Sequence, residues 1–336
     1  MAAPTTRVAI PHDVTPRAVP RGATLQSLAG TTMGTSWSVK FYGTPAARQT
    51  LQRAIASVLD RVVAQMSPWL PDSTISRLNR AEVGEWMAIP AEFCAVTTAA
   101  LRIAEATDGA FDPTVGAAVD AWGFGPSRRA PGLPTTQDIA SNRNEIGWQR
   151  LELDADNCRV RRGAMFALDF NGIAKGYAVD LVMETLHRHG IHNGLVEIGG
   201  ELSGAGIKQD GSPWWVDVNI QHPREIQRTA PALRIALHEL AIATSGRERA
   251  FTHDGVCFSH TIDPRTAAPI ASDTLSATVL HRSCMEADAY ATAFMVMPPA
   301  DAIATAARLG VAVLINVQHG NEITEAISAP LGAMLG

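Results

Sequence analysis

Five strand-length segments, residues 202–207, 214–220, 233–239, 240–244 and 256–262, follow one another within about sixty positions and constrain the fold most. Two-residue or Gly-containing connections between them imply antiparallel pairing. Helical periodicity surrounds this stretch. Residues 45–65 place Leu51, Ile55, Val58, Leu59 and Val62 on one face, and further helices are expected over 90–108, 173–189, 284–297 and 300–309. Asp108-Gly109 stops the second of these and Gly190 the third. Strands are also expected over 36–42, 193–198 and 311–317, and an apolar run, Ala164 to Leu168, leads into the turn at Asn171-Gly172. Helices and hairpins are mixed without alternating, which favours an α+β fold, antiparallel sheets packed with helices, over a doubly wound parallel sheet.

Composition removes several classes of function. A chain of 336 residues that is 46% hydrophobic and 18% charged buries enough apolar surface to fold. Lys+Arg 28 against Asp+Glu 33 gives a net charge of -5 and no basic stripe, so no nucleic-acid partner is expected. Charged or polar residues interrupt every apolar window before the roughly 18 positions a membrane span needs, so no transmembrane segment is expected. Residues 1–28, with Pro4, Pro11, Pro16 and Pro20, read as a flexible tail without the apolar core of a secretory signal, and a cytoplasmic protein is the simplest expectation. Residues 29–336 then form a single domain, with a Gly/Pro-rich loop excursion at 123–135. Cys94, Cys158, Cys257 and Cys284 are far apart and form no C-x-x-C pair, which points to reduced thiols.

Four segments could carry chemistry, each with a plainer reading beside it. Asn171-Gly172-Ile173-Ala174-Lys175-Gly176-Tyr177 is a Gly-bounded turn at a helix start, suited to an anion, or simply a tight turn with a surface lysine. Asp288 and Thr292 fall four apart on one helix face, where both oxygens can face a hard cation such as Mg²⁺ or form a solvated pair. His260, on a strand running into Asp263-Pro264-Arg265, is either a general base or a brace for that turn. Asp112, ahead of Pro113, suits an N-cap. His187, His189 and His192 read as a polar helix end, because 187 and 189 diverge and Gly190 breaks the helix before 192.

Eight stretches, in order, resemble the FAD:protein FMN transferase family, the ApbE-like flavin transferases. They are Met33 to Val39, Met66 to Asn79, Gly109 to Gly116, Asn171 to Asp180, Glu197 to Glu201, Ala243 to Gly246, Ser259 to Thr266 and Ala287 to Ala293. The resemblance implies a T-fold-like α+β protein that binds FAD and Mg²⁺ and moves the FMN half of FAD to a Thr or Ser hydroxyl of a partner flavoprotein, releasing AMP. Carried over, Met33 and Ala110, Phe111 and Asp112 would contact the flavin nucleotide. Trp69 would be the aromatic platform, commonly Tyr, for the isoalloxazine. Asn171, Lys175 and Tyr177 would line the phosphate end, Ile262 would lie beside the nucleotide, and His260 would sit at the reacting phosphate. The Ala174 carbonyl, Asp288 and Thr292 would hold the metal, with Lys175 neutralising phosphate charge. Two positions depart from the pattern: Glu201 stands for the usual Asp and Ala267 for the usual Gly, which would deny that site positive φ. The family is often anchored as periplasmic lipoproteins, and no lipid-accepting Cys appears near this N-terminus. A Mg²⁺-dependent FAD pyrophosphatase and a flavin carrier without transfer activity are the alternatives.

Overall fold

The computed structural model describes residues 6–12, 17–127, 132–218, 227–228, 231–247 and 249–335. Its spine is a nine-stranded sheet, in spatial order Gln227–Arg228, Glu322–Ile327, Ala312–His319, Thr274–His281, Leu240–Gly246, Glu201–Ala205, Gly194–Ile198, Thr35–Gly43 and Thr24–Thr32. Every neighbouring pair is antiparallel except the first, which is parallel.

Side chains alternate across this sheet and divide the core into two layers. Phe41, Ala241, Val279, Val313 and Ile315 belong to the larger cluster, which packs against the helices Ala47–Met66, Ala91–Ala106, Ala174–Arg188 and Cys284–Val296. Their neighbours Tyr42, Ile242, Leu280 and Leu314 face the other way and pack on Trp214, Leu233, Ile235 and Leu237. Those last residues lie in a small sheet of Arg7–Ala9, Leu233–Leu237 and Trp214–Val218. The Cys284–Val296 helix is buried on nearly every side, consistent with its almost continuous apolar sequence. It approaches Ala174–Arg188 so closely that a Cβ on Gly176 would lie 2.2 Å from the Cys284 carbonyl oxygen.

The α+β class and antiparallel sheets are as expected, and each expected helix is found within two residues of its bounds. Several expectations are corrected. The tail does not run free to residue 28: Arg7–Ala9 pairs in parallel with Leu233–Leu237, and Thr24–Thr32 is a full strand against Thr35–Gly43. Pro11 and Pro20 lie between these two strands, so neither interrupts a ladder. The segments 233–239 and 240–244 do not pair with each other. Glu239 turns with φ 50, and the chain passes from the small sheet to the large one. The segment 256–262 divides into Val256–Ser259 and Ile262–Asp263, each in its own hairpin. Residues 219–220 of the 214–220 strand and 128–131 of the 123–135 excursion lie outside the described residues. The described flank of that excursion is tied back, with the Ser127 N–H donating to Asp120 Oδ1 at 2.8 Å. A helix, Thr136–Glu145, follows directly from a capping box between Thr135 and Asp138.

Candidate active site

The turn from Phe170 to Ile173 opens the Ala174–Arg188 helix, and three other sequence stretches converge on the segment leading into it. The Asn79 side chain accepts from the Leu168 N–H at 2.7 Å and donates to the Leu168 carbonyl at 3.0 Å. Gly116 N–H bonds Ala167 O and Asp169 N–H bonds Pro113 O, so the 109–116 stretch lies alongside 167–169. At the turn itself, a Cβ on Gly172 would stand 2.7 Å from Thr292 Oγ1. Only a glycine lets the two helices bring that hydroxyl to the first helical turn.

A buried charge cluster sits where the helices meet. The Asp288 carboxylate is 3% exposed, and its Oδ2 accepts the Gly176 N–H at 3.0 Å. Lys175 forms an ion pair with Oε1 of Glu201, which is 2% exposed and whose Oε2 has no hydrogen-bond partner. Burial pushes the Asp288 carboxyl above its usual range, against the pull of Lys175 and the Gly176 N–H. Burial and then the charge of Asp288 push Glu201 up to about 7, with Lys175 opposing. Burial pulls Lys175 down, but the charges of Asp288 and Glu201 more than offset it and hold the ammonium above the ordinary lysine range. The cluster therefore has two carboxyls for one ammonium and is short of positive charge. Asp180 locks the helices together, accepting from Ser283 Oγ at 2.7 Å, Cys284 N–H at 2.8 Å and Met285 N–H at 3.0 Å.

The set fits a hard cation. Among the described residues no three His, Cys, Asp or Glu side chains converge on one metal position. A cation here would draw instead on one carboxylate, Asp288, with the Thr292 hydroxyl and the Ala174 carbonyl, all oxygen donors of the kind Mg²⁺ takes. Thr292 Oγ1 also lies 3.3 Å from Ser245 Oγ.

The remaining expected residues lie on several different elements. Met33 turns the Thr24–Thr32/Thr35–Gly43 hairpin with φ 48, and the same hairpin's Thr35 touches Gly199 of the turn preceding Glu201. Asn171 is exposed, its N–H donating to Asp169 Oδ1 at 2.6 Å. Trp69 is 48% exposed on the turn before the Ser73-capped helix Thr74–Arg80. Ala110 and Phe111 are buried in the main core. Asp112 is not an N-cap: the next helix is Gly116–Ala121, beginning after Val115. Its Oδ1 instead accepts from Thr114 N–H at 2.8 Å and Thr114 Oγ1 at 2.6 Å, and its Oδ2 from Trp148 N–H at 3.0 Å. Tyr177 points to the flank of the Ala47–Met66 and Ala91–Ala106 helices, where burial and then the charges of Glu92 and Glu184 push its phenol up to about 12.

His260 follows the hairpin Ala250–His253/Val256–Ser259. Its Nδ1 lies 3.1 Å from the Arg249 carbonyl, and its ring meets Phe124 edge-on. A carbonyl only accepts, so Nδ1 is the donor and the lone pair of the neutral ring is on Nε2. Arg249 is four residues beyond Ser245, which bounds the backbone span from the Thr292 contact to the His260 anchor at about 14 Å. Ile262 packs with Ala118, Val119, Trp122 and Ala267 in a small separate cluster. Ala267 does reach positive φ, at 54, contrary to expectation. Its carbonyl accepts the Trp122 indole N–H at 3.0 Å, and the N–H of Ala267 bonds Asp263 O, which fix the strained residue in place. Asn79, Gly176, Asp180 and Ser245 also take part in these contacts, and all four lie within the matched stretches.

An α+β chain that gathers a carboxylate, an ammonium and a hydroxyl at the start of a glycine-opened helix has the groups to handle an anion together with a hard cation. The ApbE family model matches residues 33–315, so this chain belongs to the ApbE family, as the ordered stretches implied. A FAD:protein FMN transferase of Vibrio cholerae is 38% identical over 305 residues, covering 90% of each chain. A FAD:protein FMN transferase of Haemophilus influenzae is 34% identical, again over 90% of each chain. Among solved structures, the apo flavinyl transferase ApbE of Pseudomonas stutzeri superposes with a TM-score of 0.86 at 32% identity, covering 94% of this chain and 98% of that one. The Vibrio cholerae flavin transferase ApbE gives 0.84 at 35%, covering 93% and 99%.

Proposed function

We propose that this protein is a Mg²⁺-dependent FAD:protein FMN transferase that moves FMN from FAD to a Thr or Ser hydroxyl of a partner flavoprotein and releases AMP. The observation that carries the reading is the meeting of Asp288, Lys175 and Thr292 at the Gly172–Gly176 helix start. A pyrophosphate brings two negative charges into a site that must neutralise them. Lys175 supplies one positive charge from within the cluster. Held by the Ala174 carbonyl, Asp288 and Thr292, Mg²⁺ would supply Lewis-acid neutralisation of the non-bridging oxygens.

The residues around the cluster divide the remaining work. Trp69 stacks on the isoalloxazine, the backbone of Met33 and of Ala110 to Asp112 contacts the flavin nucleotide, and Ile262 lies beside it. Asn171 and the backbone of Tyr177, whose phenol is turned to the helix flank, border the phosphate end. His260 takes the acceptor hydroxyl proton on Nε2 as the oxygen bonds to the FMN phosphorus and the bond to the AMP oxygen breaks.

Incubating the protein with FAD, Mg²⁺ and a flavin-accepting domain should add the mass of FMN to that domain, with one AMP released per adduct. Substituting the acceptor hydroxyl residue by Ala should abolish the adduct. Free FMN and AMP that an acceptor does not divert would identify a pyrophosphatase instead, and binding of FAD without turnover a carrier.

A further inference from the structure

We propose that Glu201 is a positioning residue for the cation site: by holding the Lys175 ammonium it keeps that charge off Asp288 and leaves the Asp288 carboxylate able to take a divalent cation. The inference rests on the cation reading above and adds a residue to it.

Lys175 lies between the two residues that matter most here. Ala174, before it, offers the carbonyl, and Gly176, after it, donates its N–H to Asp288. A lysine rooted there has two carboxylates to choose from, and the ion pair it makes is with Glu201. An ammonium closed directly on Asp288 would neutralise the one carboxylate of the donor set and compete with any cation for it. Glu201 removes that competition by giving the ammonium another partner.

Glu201 is placed for this by a constrained turn. Gly199 and Gly200 precede it with φ 61 and 105, and a Cβ on Gly199 would stand 2.8 Å from Thr35 Cγ2. The following strand, Glu201–Ala205, starts with the carboxylate already buried. Packing alone does not explain an acid there. Its Oε2 is buried without a hydrogen-bond partner, a condition that typically costs about 1–3 kcal/mol and that an apolar side chain would relieve. What the acid supplies is its charge, delivered to Lys175 with one methylene more reach than the aspartate the family pattern has.

The test is Mn²⁺ binding followed by electron paramagnetic resonance, with Mn²⁺ alone and no nucleotide, on the full chain. Glu201→Gln should raise the Mn²⁺ dissociation constant about tenfold, the scale of coupling between contacting charged groups. Adding Lys175→Met to it should restore affinity to within about threefold of Lys175→Met alone, because the competing ammonium is gone. An unchanged Mn²⁺ affinity in Glu201→Gln overturns the proposal. So does a double variant that keeps the full defect, which would make Glu201 a direct ligand or a structural support. If Glu201→Gln does not fold, Glu201→Met makes the same test by withdrawing the acceptor. A loss of Mn²⁺ affinity that Lys175→Met cancels supports the proposal, and no loss overturns it. A wild-type chain that takes up no Mn²⁺ overturns the cation reading itself, and this inference with it.

Discussion

Asp288 Oδ2 accepts the Gly176 N–H at 3.0 Å, joining two helices across 112 residues of sequence. The bond fixes one carboxylate oxygen on the first turn of the Ala174–Arg188 helix. Removing the side chain therefore removes both a helix-to-helix bond and the only carboxylate of the cation set. Asp288→Ala should abolish FMN transfer and Mn²⁺ binding, and excess Mg²⁺ should not restore either. The change also removes a buried carboxyl that burial already disfavours, so the melting temperature should fall by only a few degrees. Transfer at the wild-type rate in this variant would refute the assignment.

The pH dependence of stability follows from Glu201. Its carboxyl ordinarily titrates near 4.5 and is pushed up to about 7 in the fold, first by burial. The folded chain then binds more protons than the unfolded chain between those values, so this group's contribution is present below about 4.5 and lost as pH rises through about 7. In metal-free buffer, Glu201→Gln should gain stability relative to wild type as pH rises from 5 to 8, by up to a few kcal/mol. Denaturant unfolding at four pH values measures it. A difference independent of pH would show that Glu201 is ionised throughout.

Asp112 tests whether a residue of a matched stretch acts through its side chain or through the fold. Both oxygens are engaged, with Thr114 and with the Trp148 N–H. Asp112→Ala should cost about 1–3 kcal/mol of stability, the penalty of stranded buried donors, and weaken FAD binding only in proportion. Weaker FAD binding with an unchanged melting temperature would instead place the carboxylate against the nucleotide.

What the sequence made visible was local. Leu51, Ile55, Val58, Leu59 and Val62 announce their helix because the signal repeats every 3.6 residues, and all five are buried. Asp288 and Thr292 are visible as a pair for the same reason. Gly176 carries no such signal, since its role is set by a helix that passes 2.2 Å from where its Cβ would be. Asn79 and Ser245 are equally silent, because their partners, Leu168 and Thr292, are distant in sequence. Sheet membership failed at residues 238–239 for a related reason: a two-residue connection fits a hairpin as well as a change of sheet, and the chain changes sheet.

Trp69 tests binding without chemistry. It is 48% exposed and absent from the core clusters, so Trp69→Ala should leave the melting temperature nearly unchanged. Loss of a stacked ring costs about 0.5–1.5 kcal/mol beyond its area, so FAD affinity should fall about threefold to tenfold or more. FAD should also quench the fluorescence of the wild type more than that of the variant. Equal affinity in both would assign the flavin platform elsewhere.

His260 separates binding from chemistry. The Arg249 carbonyl at 3.1 Å fixes the Nδ1 proton and so directs the basic lone pair to Nε2. A base matters in the transition state and little in the ground state, so His260→Ala should lower single-turnover FMN transfer by about 10²–10⁴-fold while FAD affinity stays within a few fold. His260→Gln, which can still bond the Arg249 carbonyl but has no basic lone pair, should be equally slow with a wild-type melting temperature. If the imidazole merely braces the hairpin end, the results reverse: Gln rescues transfer, and in Ala the losses of transfer, FAD affinity and melting temperature run in proportion.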